Sequence, residues 1–447
     1  MKQPNLRLRV MRYMLVQSLA WVCLIGVPGL VDVGAAPPTD ANTQAISTKK
    51  QTADTYVLQA HWKETADLRH ARTNHAAVLL PNGKVLVIGG ITPESQGGPF
   101  LASAELFDPT ANGGRGGWSE AGGLHEGRAE HTATLLPNGK VLVVGGRTLG
   151  KEVIGTQSCE LFDPTANRGK GEWLTTAPLK KSRYGHTTTL LPDGKVIIVG
   201  GFDDSGPVRE VELYDSLAHN GYGVSQLVAE MNAPFGSHAS VSLPNGMILI
   251  VGAEGYEGTC VHQAELFTAA ANQGKGAWTV VSEYLDLCLP TATPLLNGKV
   301  VMSGVSVFDL EKKAELTREV PSAWLFDPMV KTANFKKAWT QISPAKIARQ
   351  HHTATLLKNG QVLLVGGQEF MTKNGDDRYP RVISRAEIYN PEGNDAWSPT
   401  ASMKAARVHH TATLLADGRV LVVGGHSGDP VGVVILASAE LYDPTGK

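Results

Sequence analysis

The chain has 447 residues, including 49 glycines and 25 prolines, with 42% apolar residues and a formal net charge of −1. It is longer than one ordinary core usually holds, and its turn-rich composition suits a β protein better than a helical one. So balanced a charge gives no electrostatic grip on nucleic acid.

Residues 1–35 carry four basic residues, then an apolar run, then small residues. That is the layout of a secretory signal peptide. Gln17, Pro28 and Gly29 break the run, which disfavours a membrane span. Val33 and Ala35 fit a cleavage site after Ala35. Cleavage there leaves 37 basic and 41 acidic residues, a net charge of −4. Residues 36–55 are polar and non-periodic and read as a disordered tether. The mature protein is therefore expected to be secreted or periplasmic and monomeric, with no membrane attachment. Export permits disulfides. The mature chain keeps Cys159, Cys260 and Cys288, enough for one internal bridge.

From residue 56 the chain repeats itself. A histidine position recurs at His75, His131, His186, His238, Pro290, His352 and His410, at intervals of 52 to 62 residues. A Gly-Gly position ends 15 residues after each one. Trp62, Trp118, Trp173, Trp339 and Trp397 stand 13 residues before it and Trp278 stands 12 before Pro290, while Ser225 takes the slot before His238. Each unit reads as four short strands. HTATLL and KVLVVGG flank an Asn-Gly or Asp-Gly turn that supplies the positive φ a tight hairpin needs. AELFDP or a variant is the third strand, and the fourth carries the Trp. Second strands such as Val141–Val144 are apolar on both faces and belong between neighbouring sheets.

Four-stranded units of about 50 residues match the kelch period. The paired glycines, the Tyr/Phe-Asp-Pro and the following Trp resemble the kelch-repeat family over residues 56–447. The resemblance implies an all-β, seven-bladed propeller. The seventh unit ends without a Trp strand, and VLQAHWKETADL has a Trp strand without partners. Closure of the last blade by the strand near Trp62 resolves both and protects the ring's edge.

The second-to-third connections vary most in length, and the longest are SVFDLEKKAELTREVPSA and QEFMTKNGDDRYPRVISRA. Recognition usually sits on loops held by a rigid frame, so this face is the candidate binding face. Arg72, Arg128, Arg183, Arg349 and Arg407 precede five of the histidines. By the kelch resemblance they surround the channel mouth and favour a carboxylate, a phosphate or an acidic peptide. The competing reading pairs each arginine to an acidic or carbonyl partner in its own or the next blade, as expected of a once-per-blade feature. His75, His131, His186, His238, His352 and His410 are expected to be structural, like the six tryptophans. One histidine per blade converges poorly on a metal. The doublets His351-His352 and His409-His410, read as strand neighbours, point to opposite faces.

Arg407-Val408-His409-His410 through Val420 is also similar to a stretch of galactose oxidase and the glyoxal oxidases, where a Tyr-His pair binds copper. Here the Tyr slot holds Asn74, Glu130, Gly185, His351 or His409, so no copper site or other cofactor is expected. Cys260 and Cys288 fall on the same face of adjacent units and are predicted to form a disulfide. Cys159 replaces an alanine and is expected to be a buried thiol. No catalytic residues stand out. The expected function is an exported scaffold that binds a protein or glycan. The alternative, suggested by periplasmic kelch proteins that epimerise sialic acid, is a sugar mutarotase needing one acid and one base.

Overall fold

The computed structural model describes residues 60–446 apart from 94–98, 150–152, 255–258, 283–284, 310–313, 331–334, 374–376, 394–395 and 429–431. The expected signal peptide and tether lie outside the described residues.

Seven four-stranded antiparallel sheets form the body. Blades 1 to 6 follow chain order. Blade 1, for example, comprises Ala76–Leu79, Val85–Ile88, Ser103–Asp108 and Gly117–Gly123. Blade 7 takes its inner three strands from Thr411–Leu414, Val420–Val423 and Ala439–Asp443, and its outer strand from His61–Glu64. The register runs from His61 opposite Asp443 to Glu64 opposite Glu440. Trp62 also donates to the Ala401 carbonyl of blade 6 at 2.7 Å. The closure expected from the two chain ends is therefore formed.

The first strand of each blade touches the first strands of its two neighbours, so seven inner strands make a closed ring. The core is divided accordingly. Seven buried clusters lie at the seven blade interfaces, each drawing on both blades. One joins Leu86 and Ile88 of blade 1 to Val141, Val143 and Phe162 of blade 2. Second strands such as VLVV are buried along their whole length because sheets cover both faces.

The tryptophans fasten outer strands across the interfaces. Trp118 donates to the Ala66 carbonyl, Trp173 to Ala121, Trp278 to Ala229 and Trp339 to Val281, at 2.7 to 3.1 Å. Each of the six packs on the Phe or Tyr of its own blade's third strand, with ring centroids 4.7 to 5.1 Å apart. The paired glycines let blades approach. A side chain at Gly89 would meet the Arg128 carbonyl at 2.6 Å and the His131 ring at 2.8 Å. Gly90, at φ +102°, donates its N–H to that same carbonyl at 2.8 Å.

Cys260, at the start of blade 4's third strand, and Cys288, at the start of blade 5's first, are disulfide-bonded with Cα atoms 5.6 Å apart. Cys159 is a buried free thiol in the interface between blades 2 and 3, and burial pushes its pKa up to about 12. It therefore stays a neutral packing group.

Candidate functional site: the mouth of the inner ring

The five arginines do not open onto a channel. They lie in the connection entering each blade, before the first strand, and are 0–1% exposed. Each guanidinium closes on a glutamate of its own blade's third strand: Arg72 on Glu105, Arg128 on Glu160, Arg183 on Glu212, Arg349 on Glu387 and Arg407 on Glu440, at 2.5 to 2.9 Å. Nη1 of each donates to two backbone carbonyls. Arg128 Nη1 bonds the Gly145 and Ser158 carbonyls, both at 3.0 Å. The glutamate is satisfied from the other side: Glu105 accepts Arg69 N–H at 2.8 Å, and Glu212 accepts Lys180 N–H at 2.7 Å. Of the two readings of the arginine ring, the geometry is that of an intra-blade clamp. A buried guanidinium needs a buried carboxylate, and the glutamate of AELFD supplies it.

The six repeated histidines sit at blade interfaces. Five donate to, or accept from, a first-strand threonine of the preceding blade through Nε2. His75 pairs with Thr411, His186 with Thr132, His238 with Thr187, His352 with Thr291 and His410 with Thr353, at 2.7 to 3.0 Å. His131 has no such bond, because blade 1 carries Ala76 where the blades preceding the other five histidines carry threonine. Burial, reinforced by nearby arginines, holds His131, His352 and His410 down to about 3 and His238 to about 4.

The residue just before each histidine is the one that faces the opening. Asn74, Glu130, Gly185, Ser237, Leu289, His351 and His409 all have φ between 44° and 60°, a left-handed turn at the entrance to the inner strand. The strand reading of the His-His doublets is corrected by this turn: His352 and His410 face the interfaces, while His351 and His409 belong to the mouth. Backbone bonds link ring members of successive blades. Asn74 N–H donates to the His409 carbonyl at 3.3 Å. Glu130, Gly185 and Ser237 each donate to the member before them at 3.0 Å.

A second tier comes from the residue after each Gly-Gly. Short bridges hold Arg147 to Ala129, Phe202 to Tyr184, Glu254 to Gly236, Gln368 to Gln350 and His426 to Val408. The variable second-to-third connections therefore crown this same end. Four of them fold into two-stranded hairpins. Leu149, Ile154, Tyr379 and Val434 are exposed on three of these.

The mouth has two chemically distinct sectors. Across blades 2 to 4, the Arg147 guanidinium lies 3.9 Å over the Tyr184 ring and 3.5 Å from the Glu130 carboxylate. Tyr184 stacks on Phe202, and Phe202 lies where a side chain at Gly236 would be. Burial, with Glu130 nearby, holds the Glu254 carboxyl above the usual range. Across blades 6 and 7, His351 and His409 pack with ring centroids 4.3 Å apart, and His426 lies 5.5 Å from His409. Burial holds His351 and His426 down to about 4 and His409 lower still. Polar contacts run between the sectors: His426 to Thr73 at 3.2 Å, Thr73 to Asn74 at 3.3 Å, and Asn74 to Glu130 at 3.4 Å. Among the described residues no group of three or more His, Cys, Asp or Glu is arranged to hold a metal ion.

Sequence reasoning treated these mouth residues only as failures of a copper motif. The signal in them is variability: one slot takes six different residues over the seven blades.

No protein-family model matches the chain. Human Kelch-like protein 24 is 31% identical over 134 residues, 30% of this chain and 20% of that protein. The chain thus matches about a fifth of the length of that relative. An F-box/kelch-repeat protein of Arabidopsis thaliana is 21% identical over 67% of this chain and 66% of its own length. Among solved structures, a fungal alcohol oxidase of the AA5 family in complex with copper superposes with a TM-score of 0.62 at 16% identity, covering 86% of this chain and 76% of that one. YjhT superposes at 0.51 and 12% identity, covering 84% and 95%. At such identities the structures speak for the fold alone. Repeat pattern, blade topology and relatives agree: the chain is a kelch-repeat β-propeller.

Proposed function

We propose that this protein is an exported scaffold that docks a partner protein on the face formed by the mouth ring and its hairpins. One observation carries the reading. The frame repeats blade after blade, yet the residue before the histidine position takes six identities over the seven blades, and apolar residues stand exposed on the hairpins around it. A constant scaffold with a variable crown is the usual arrangement of a recognition surface. Relatives named as Kelch-like proteins support a protein as the ligand. The Cys260–Cys288 disulfide supports export, because such bonds persist in oxidising compartments. The mouth's mixture of carboxylate, amide and imidazole groups also suits a glycan, which is the second reading.

A peptide and glycan array probed with residues 36–447 tests this. Binding should be lost in a Glu130→Ala/His409→Ala variant. It should persist in Lys170→Ala and Leu217→Ala, which alter exposed positions away from the mouth. The reverse pattern would sink the proposal, and hits confined to glycans would replace the protein partner by the second reading.

A further inference from the structure

We infer that the blade 6–7 sector of the mouth is a subsite for an uncharged oxygen acceptor of the bound ligand, an amide carbonyl or a hydroxyl, built by Gln368, His351, His409 and His426. The inference rests on docking at the mouth.

Its first support is an unmet donor. Gln368 is 5% exposed, and its side-chain amide nitrogen is buried without a hydrogen-bond partner. Its backbone is fully engaged with Gln350, at 2.9 and 3.0 Å, so the side chain is not needed to hold the fold there. Gln368 is the first residue after Gly-Gly in blade 6, the position that His426 fills in blade 7 and Arg147 in blade 2. An amide NH2 can only donate, and leaving it buried and unpaired costs about 1–3 kcal/mol. Nε2 of His409, in the neighbouring blade, is also buried without a partner.

The second support is charge. Imidazoles with centroids 4.3 and 5.5 Å apart cannot all be protonated without strong mutual repulsion. The five buried guanidiniums are committed to their own glutamates, and Arg147 is committed to Glu130 and Tyr184. A carboxylate entering this sector would lose its hydration, and none of these six guanidiniums is free to repay it. A neutral oxygen accepts the same N–H groups without that cost.

The test uses the full mature chain and three probes at neutral pH: acetamide, acetate and methylammonium. Side-chain NMR of glutamine amides and histidine rings reads their binding. Acetamide should shift Gln368 and His409 in a saturable way, and acetate should bind at least about tenfold more weakly. Methylammonium should leave both signals unchanged. Gln368→Leu should abolish the acetamide response with little change in melting temperature. If it unfolds the protein, His409→Ala serves in its place. Equal binding of acetate and acetamide, a methylammonium shift at either residue, or no shift with acetamide, overturns the subsite. If the array fails to show docking while acetamide still binds here, the docking proposal falls and this site stands.

Discussion

Blades 4 and 5 are built without the clamp that the other five share. In blades 1, 2, 3, 6 and 7 a buried arginine spans from the entering connection to the third-strand glutamate. In blade 4 the arginine position is Phe235, fully buried, and Glu265 is satisfied by the backbone and side chain of Asn232 and by Ala233 N–H, at 2.9 to 3.0 Å. In blade 5 the arginine, histidine and glutamate positions are Leu287, Pro290 and Trp324. Leu287 and Trp324 join the apolar cluster between the two blades, and the disulfide crosses the same interface. The propeller therefore keeps the same strand order in every blade without one chemistry for anchoring the connection that enters it. Five blades anchor it with a buried ion pair, blade 4 with amide donors to Glu265, and blade 5 with apolar packing beside the disulfide.

That contrast can be broken most forcefully with acid. His131, His352 and His410 titrate near 3 when folded and at about 6.5 when unfolded. The unfolded chain binds more protons below about pH 6.5, so the histidines' contribution is complete above that value and is lost as pH falls towards 3. Melting temperature should drop steeply through this window. Hydrogen exchange should open strands Thr132–Leu135 and Thr187–Leu190, each flanked by two repeated histidines, before Cys288–Pro294, which meets only His352 because Pro290 replaces the other. A flat melting profile between neutral and acid pH would contradict this.

Next in size is the loss of one clamp carboxylate. Glu160→Gln takes the buried carboxylate from the Arg128 guanidinium, leaving it only the half-exposed Glu126 at 3.8 Å, and should cost about 3–5 kcal/mol. Glu265→Gln in blade 4 strands no cation and should cost about 1 kcal/mol. Chemical denaturation of the two variants, compared side by side, checks the ordering. Equal losses would erase the distinction between the two kinds of blade.

Opening the disulfide removes blade 4–5's own fastening. With its cysteines 28 positions apart, the chain-entropy account gives about 3–4 kcal/mol. A reducing agent should lower the melting temperature of the wild type but not of a Cys260→Ser/Cys288→Ser variant, and Cys159→Ala should leave the reductant effect intact. The smallest effect sharpens the comparison within the clamped set. Ala76→Thr should give His131 the partner its five counterparts have, stabilising the chain by about 0.5–1.5 kcal/mol, whereas Thr132→Val should remove one such bond from His186 and destabilise by a similar amount. Thermal melts of both variants decide it.

Much of this frame is legible in the sequence because it is local and repeated. The Asn-Gly hairpins, the apolar second strands, the orphan Trp62 strand and the two cysteines on one face all follow from spacing. The clamp was half legible. Glu160 stands in CELFDP, a third strand otherwise built for burial, and an acid in such a strand needs buried donors. Arg128 lies 32 residues away in sequence, and only the folded blade shows that the two meet. The mouth was less legible still. Glu130 and His409 reach it through a left-handed turn that the strand pattern of the repeat hides. Their neighbours come from other blades, as with the packing of His351 on His409.

A double-mutant cycle on Arg128 and Glu160 tests the central claim most directly. If the arginines are clamps, Arg128→Met and Glu160→Leu will each destabilise the chain strongly, and the two together will restore most of the loss, with a coupling of at least about 2 kcal/mol. A wild-type melting temperature for Arg128→Met alone, or strictly additive losses, would contradict the clamp and return the arginines to the list of ligand-binding candidates.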